Sequence, residues 1–216
     1  MLNPDYALEI YSKSMALRSL VKISSVNNLN DARYAAGMGV ELIGFDLEES
    51  SENYISPETF AAITSWVSGV KFVGEIQVAD QEQSLKLLED YKLDYLQISN
   101  PAAALSIIQW PIPIIIKIEE QDRAYIADIL QEFTKKVVWF LIEPTELLNA
   151  ELMEWCIQQS KEFPIIIGSN VTARNVLDIL DSGFSGVALS GGNEIKPGYK
   201  DFDELADILE VLELEN

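Results

Sequence analysis

The chain has no histidine and a single cysteine among its 216 residues. Without imidazole there is no His-based acid/base catalysis, no His-oriented nucleophile and no His-ligated metal. A lone Cys156 excludes an internal disulfide and fits a cytoplasmic protein. Bases are scarce: 15 Lys and Arg stand against 35 Asp and Glu, a formal charge of −20. That balance argues against nucleic acid and anionic membrane as partners, and a solvated acidic surface explains most of it. No apolar run approaches the roughly 18 residues of a membrane helix. Met1 to Leu20 lacks the basic start and continuous apolar core of a signal peptide. The expectation is a cytoplasmic, acidic protein, monomer or homodimer, with no cofactor and no metal.

What the chain does have is a regular alternation. Apolar strand patterns fall near residues 20–25, 40–47, 70–78, 93–98, 112–118, 137–143, 164–168 and 186–190. Helical patterns lie between them and carry ordinary start signals. Asn27 and Asn28 cap the first, Ser56-Pro57-Glu58 opens the second, and Asp80 with Gln83 forms a capping-box pattern. Asn100-Pro101 opens the fourth, and Thr145, Thr172 and Asp201 suit the sixth, seventh and eighth. Eight β–α units in series predict a parallel sheet, and eight is the number that closes a barrel. The fold class is therefore α/β: a single TIM (β/α)8 barrel over residues 20–216, with an extra N-terminal helix over residues 1–19. Leu8, Tyr11, Met15 and Leu20 give that helix a loose apolar stripe.

Alternation within the strands supports closure, because successive side chains point to opposite faces. Lys22 and Ser24 share a face, as do Gly44 and Asp46, Glu75 and Gln77, Gln97 and Ser99, Lys117 and Glu119, and Leu141 and Glu143. A face packed under helices cannot carry these charges. They belong in the lumen, towards the C-terminal mouth, where barrels place their chemistry.

The stretch Val21 to Ala36, VKISSVNNLNDARYAA, resembles the opening of the phosphoribosylanthranilate isomerase family, which typically starts Lys-Ile-Cys-Gly-Ile-Thr before a helix with Asp-Ala. Residues 164–176, PIIIGSNVTARNV, resemble the family's seventh strand and helix, usually Leu-Ala-Gly-Gly-Leu-Thr-Pro-Glu-Asn-Val. Residues 186–201, GVALSGGNEIKPGYKD, resemble its eighth-strand signature. Asn53-Tyr54-Ile55-Ser56-Pro57, Val73-Gly74 and Leu96-Gln97 add weaker likenesses. The resemblance implies an Amadori rearrangement of a phosphorylated aminosugar in tryptophan synthesis. In the family a cysteine after the first strand is the general base, and an aspartate after the sixth is the general acid.

Those positions have changed. Ser24 replaces the cysteine and Ser25 the glycine after it. A thiol ionises near about pH 8.5, whereas a serine hydroxyl needs a neighbouring base. Glu143 aligns with the aspartate; its extra methylene moves the acid by about 1 Å, enough to cost roughly 100-fold where geometry matters. Asn53 aligns with the arginine that meets the substrate carboxylate. Ser169 and Asn170 stand where the family has a Gly-Gly pair. Ser190-Gly191-Gly192 is the Gly-rich remnant that suits an anion. The resemblance thus nominates Ser24 and Glu143 as catalytic positions. It nominates Asn53, Gln97, Ser169, Asn170, Ser190, Gly191 and Gly192 as ligand-binding positions for a small phosphorylated ligand.

Plainer readings stand beside these. Lys22, two residues before Ser24, suggests a Ser–Lys dyad, or a lumen cation paired with Glu75 or Glu143; Lys117 has the same ion-pair reading. Glu75, Asp46, Glu48 and Glu119 offer oxygen ligands but no metal-site spacing. Cys156 reads as a packed helix residue, and Trp66, Trp110 and Trp155 as core or interhelix packing. Two functions remain open: a divergent isomerase with impaired activity, and a non-catalytic barrel used for small-ligand binding or protein interaction.

Overall fold

Eight parallel strands close on themselves in chain order, each hydrogen-bonded to the next and the eighth to the first. The computed structural model describes residues 17–77, 81–100, 112–119, 137–143, 150–190, 194–196, 199–200 and 202–214. The strands are β1 (Leu20–Ser24), β2 (Leu42–Asp46), β3 (Lys71–Ile76), β4 (Tyr95–Ile98), β5 (Ile114–Ile118), β6 (Val137–Ile142), β7 (Ile165–Ile167) and β8 (Gly186–Ser190). Helices α1 (Leu29–Gly37), α2 (Pro57–Thr64), α3 (Gln81–Asp90), α4 (Ala150–Ser160), α5 (Val176–Asp181) and α6 (Asp203–Leu212) are described between and after them. This is the TIM (β/α)8 barrel that the alternation predicts.

Two apolar cores follow from strand alternation. The outer core lies between sheet and helices and includes Ile23, Phe45, Ile76, Ile98, Ile116, Phe140, Ile167 and Val187. The inner core fills the lower lumen with Leu42, Val73, Ile115, Leu141, Ile166 and Ala188, against which Leu20, Tyr95 and Trp139 pack. Closure between β8 and β1 is tight. A Cβ at Gly186 would collide with the Leu20 carbonyl, so only glycine fits there.

Caps at the first two helices match their sequence signals. Asn28 Oδ1 accepts from Asp31 N at 3.0 Å, and Ser56 Oγ accepts from Thr59 N at 3.3 Å. Thr172 does not cap. Its N–H donates to Asn175 Oδ1 at 2.7 Å, and Asn175 occupies the N-cap of α5. The longer Asn side chain reaches back across the turn and displaces the threonine from that role. Trp66 is also corrected: it is 74% exposed, because it follows the end of α2, where no described element covers it. Trp155 packs against the outer core, and Cys156 is fully buried.

The sequence reading omitted a small antiparallel hairpin after β8, formed by β9 (Glu194–Lys196) and β10 (Tyr199–Lys200). Pro197-Gly198 was its signal. The N-terminal helix, Asp80, Pro101, Trp110, Thr145, Gly191, Gly192 and Asp201 lie outside the described residues. Leu17, the first described residue, bridges antiparallel to Glu213, and Arg18 N donates to Leu212 O at 2.9 Å. Among the described residues no helix is long and apolar enough to cross a membrane.

Candidate active site at the barrel mouth

Above the inner core the lumen turns polar. Lys22 is fully buried and forms an ion pair with Glu75, reaching across β2. Gly44 makes that reach possible, since a Cβ there would collide with the Glu75 carboxylate and lie 2.9 Å from Lys22 Nζ. Lys22 Nζ also donates to Ser24 Oγ at 2.7 Å. The lysine and serine are thus adjacent, but the lysine is a donor tied to a carboxylate and is no base for the hydroxyl. Of the two partners expected for Lys22, the structure selects Glu75.

Glu75 binds the following residue as well. Its Oε2 accepts from Ser25 N at 3.0 Å and Ser25 Oγ at 3.2 Å. Ser25 has φ +53°, the left-handed region that glycine adopts freely. Asn170 has φ +56°, and these two are the non-glycine residues at positive φ among those described. Both stand where the resembled motifs carry glycine. The backbone keeps the glycine-shaped turns after the side chains have changed, with Asn a tolerant occupant and Ser held by Glu75.

Glu143 follows β6 and pairs with Lys117 of β5 at 2.7 Å, both side chains partly exposed. Gly168 lies against it, with an added Cβ 3.3 Å from Glu143 Cβ and Cγ. Gln97 is buried in the lumen wall, in register with Glu75. Lys22, Glu75, Gln97, Lys117 and Glu143 therefore line the lumen, as alternation predicts. Ser24 and Glu143 both lie at strand ends of the mouth, yet each is bonded within its own neighbourhood.

Asn53 turns to its neighbouring loop: its Oδ1 accepts from Asn27 Nδ2 at 3.0 Å, and Asn27 Oδ1 accepts from Asn28 Nδ2 at 3.0 Å. Asp46 is occupied by Glu48 N at 3.0 Å and Ser51 Oγ at 2.5 Å. Sequence reasoning missed this asparagine chain, reading Asn27 and Asn28 as caps alone. It also missed Glu204. A cavity of about 140 Å³ lies between the ends of β7 and β8 and α6, lined by Gly168, Asn170, Ser190 and Glu204 among others. Among the described residues, Glu204 is the charged one of that lining. Asn170 and Ser190 are exposed beside it, while Asn170 O accepts from Asn175 Nδ2 at 2.7 Å. Ser169 is half-buried in the same turn.

A larger cavity, about 620 Å³, lies outside the lumen between the β2–α2 loop and α3 and is lined by Glu48, Tyr54, Lys86 and Tyr91 among others. Tyr91 donates to Ile55 O at 2.7 Å, and burial, then Tyr54, push its phenol well above the ordinary range. Size alone does not make this the site, because the lumen residues are not part of its lining. Among the described residues no cluster of three or more potential ligands is placed to hold a metal ion.

The fold and the strand-end polar ring define a (β/α)8 barrel with its candidate site at the C-terminal mouth. The family model described as "N-(5'phosphoribosyl)anthranilate (PRA) isomerase" matches residues 21–211. The chain belongs to that family. N-(5'-phosphoribosyl)anthranilate isomerase of Nitrosomonas eutropha is 26% identical over 196 residues, spanning 88% of this chain and 94% of that protein. The isomerase of Parabacteroides distasonis is 24% identical over 214 residues, spanning 89% and 93%. Among solved structures, the isomerase from Thermus thermophilus superposes with TM-score 0.73 at 22% identity, covering 89% of this chain and 98% of that one. A phosphoribosyl anthranilate isomerase in complex with reduced 1-(o-carboxyphenylamino)-1-deoxyribulose 5-phosphate gives 0.73 at 21% identity, covering 90% and 98%.

Proposed function

We propose that this barrel has kept the isomerase fold and lost most of the isomerase reaction, and that its mouth now serves to bind a small molecule. The observation that carries this is the state of Ser24. At the general-base position stands a hydroxyl that accepts a hydrogen bond from Lys22, and that lysine is paired with Glu75. A base for the rearrangement must take a proton from carbon. A hydroxyl needs a neighbouring base to do so, and the group beside it is a donor. Losing a general base costs about 10²–10⁴-fold.

The other positions support the same reading. Glu143 shares its carboxylate with Lys117. Asn53 bonds Asn27, where the resemblance places the arginine for the substrate carboxylate. The phosphate expected near β7 and β8 would meet Glu204. Like charge there weakens binding of a dianion.

The test is complementation of a tryptophan auxotroph lacking the isomerase. The unmodified gene should not restore growth, and Ser24→Cys alone should recover little. Ser24→Cys and Glu143→Asp, combined with Asn53→Arg, Ser169→Gly and Asn170→Gly, should recover more. Robust growth with the unmodified gene overturns the reading.

A further inference from the structure

The end of the barrel opposite the mouth carries an apolar surface. Tyr95 and Trp139 pack against the inner core with ring centroids 5.3 Å apart, and both stay half-buried. Leu20 joins the same core from the first position of β1 and is half-buried as well. Pro113 and Pro164 stand two residues before the inner-core residues Ile115 and Ile166, so alternation puts them on the lumen side, one step further down. Their carbonyls extend the ladder, accepting from Leu96 N at 3.1 Å and from Phe140 N at 2.9 Å, and both prolines are exposed. Lys71, at the first position of β3, adds one charge to this rim, and Asp94 pairs with it at 2.8 Å. Two aromatic rings, a leucine and two prolines facing water form the kind of patch that marks a contact surface.

The chain supplies an occupant of its own. Sixteen residues precede Leu17, and they enter at this end. Leu17 bridges Glu213, Arg18 N donates to Leu212 O, and β1 begins two residues later. Leu214, beside that bridge, is 46% exposed. The sequence predicts a helix from Pro4 with Asn3 as its cap. At about 100° per residue Leu8, Tyr11 and Met15 share one face, and Asp5, Glu9 and Lys13 share the opposite one. Pro4 to Ala16 makes a helix of about 20 Å. Eight strands about 4.8 Å apart and tilted by about 36° close into a ring about 15 Å across. Tyr95 on β4 and Trp139 on β6 flank β5, across the ring from β1. The stretch is therefore long enough to cross the floor from its anchor to that ring pair.

We propose that residues 1–16 plug the barrel floor, with the Leu8–Tyr11–Met15 face laid against Leu20, Tyr95 and Trp139 and with Pro113 and Pro164 at the rim. The surface is then a docking site within one chain, and no second copy is needed to cover it. The inference is independent of what the mouth binds or catalyses.

The test places the photoreactive residue p-benzoylphenylalanine at Tyr11 of the full chain, irradiates it, and maps the cross-links by mass spectrometry. Cross-links should form within one chain and join residue 11 to peptides carrying Tyr95, Pro113, Trp139 or Pro164. Cross-links between two chains, cross-links confined to the outer faces of helices such as α4, or no cross-link to the floor peptides overturns the inference. A second arm combines Leu8→Ser, Tyr11→Ser and Met15→Ser in the full chain. This variant should melt at least about 5 °C lower with the sedimentation mass unchanged, whereas Glu9→Ser on the opposite face should stay within about 1 °C. An unchanged melting temperature in the triple variant overturns the inference, and so does a fall from dimer to monomer mass, which assigns the floor to a second copy.

Discussion

The β1–β3 flank of the mouth is cross-linked between strands and loops, whereas the bonds described around Asn170 on the β7–β8 flank are local, made by the Asn175 side chain. On the first, one buried carboxylate gathers Lys22, Ser25 N and Ser25 Oγ, and an asparagine chain ties the loops after β1 and β2 together. On the second, Asn170 keeps a glycine-like turn through a local bond from Asn175, and Glu204 faces the space beside it. Both flanks retain the turn shapes that the family's glycines produce. The first, among the described residues, joins its side chains into an interlocked cluster. The difference teaches that turn shape and side-chain bonding can vary separately: one flank carries an interlocked polar cluster, and the other keeps the turn with an acidic residue beside it.

The sharpest way to break the comparison is Glu75→Leu. It leaves Lys22 charged and buried without its partner, which should cost about 3–5 kcal/mol. Urea unfolding should show a lower midpoint at unchanged slope. A loss under about 1 kcal/mol would erase the distinction between the flanks. The double change Lys22→Met with Glu75→Leu should recover most of that loss, since apolar replacement of a buried pair is often neutral. Gly44→Ala attacks the same pair sterically and should cost about 1–3 kcal/mol, the range for overpacking; thermal unfolding tests it.

Smaller effects sharpen the contrast. Lys117→Met breaks a pair whose side chains are 23% and 29% exposed, so solvent already screens it and the cost should stay within about 0–1 kcal/mol. Asn170→Gly should be neutral or stabilising by a few tenths of a kcal/mol, because Asn tolerates the left-handed turn and glycine tolerates it better. Paired melting curves decide both.

Much of this was legible from alternation. Lys22, Glu75, Gln97, Lys117 and Glu143 all face the lumen as their odd–even placement requires, because a two-residue period leaves a charged side chain little choice of face. The changed motif positions were equally plain. What the pattern could not give was partner choice: Lys22 had two acidic candidates, and Gly44, a residue with no side chain, decided between them by opening the path to Glu75. Trp66 misled because its neighbours are helical while it stands just past the helix end. Glu204 was invisible as a site residue because it reaches the mouth from α6, far from β7 in sequence.

The most direct test of the central claim is a steady-state fluorescence assay of phosphoribosylanthranilate consumption by the purified, unmodified protein. Losing the thiolate alone predicts turnover lowered by about 10²–10⁴-fold, and the lost carboxylate and phosphate contacts should bring it to the uncatalysed background. Consumption at a rate within about tenfold of a family member that carries the cysteine would contradict the account. It would show that Ser24, Glu143 or another lumen group still moves the proton.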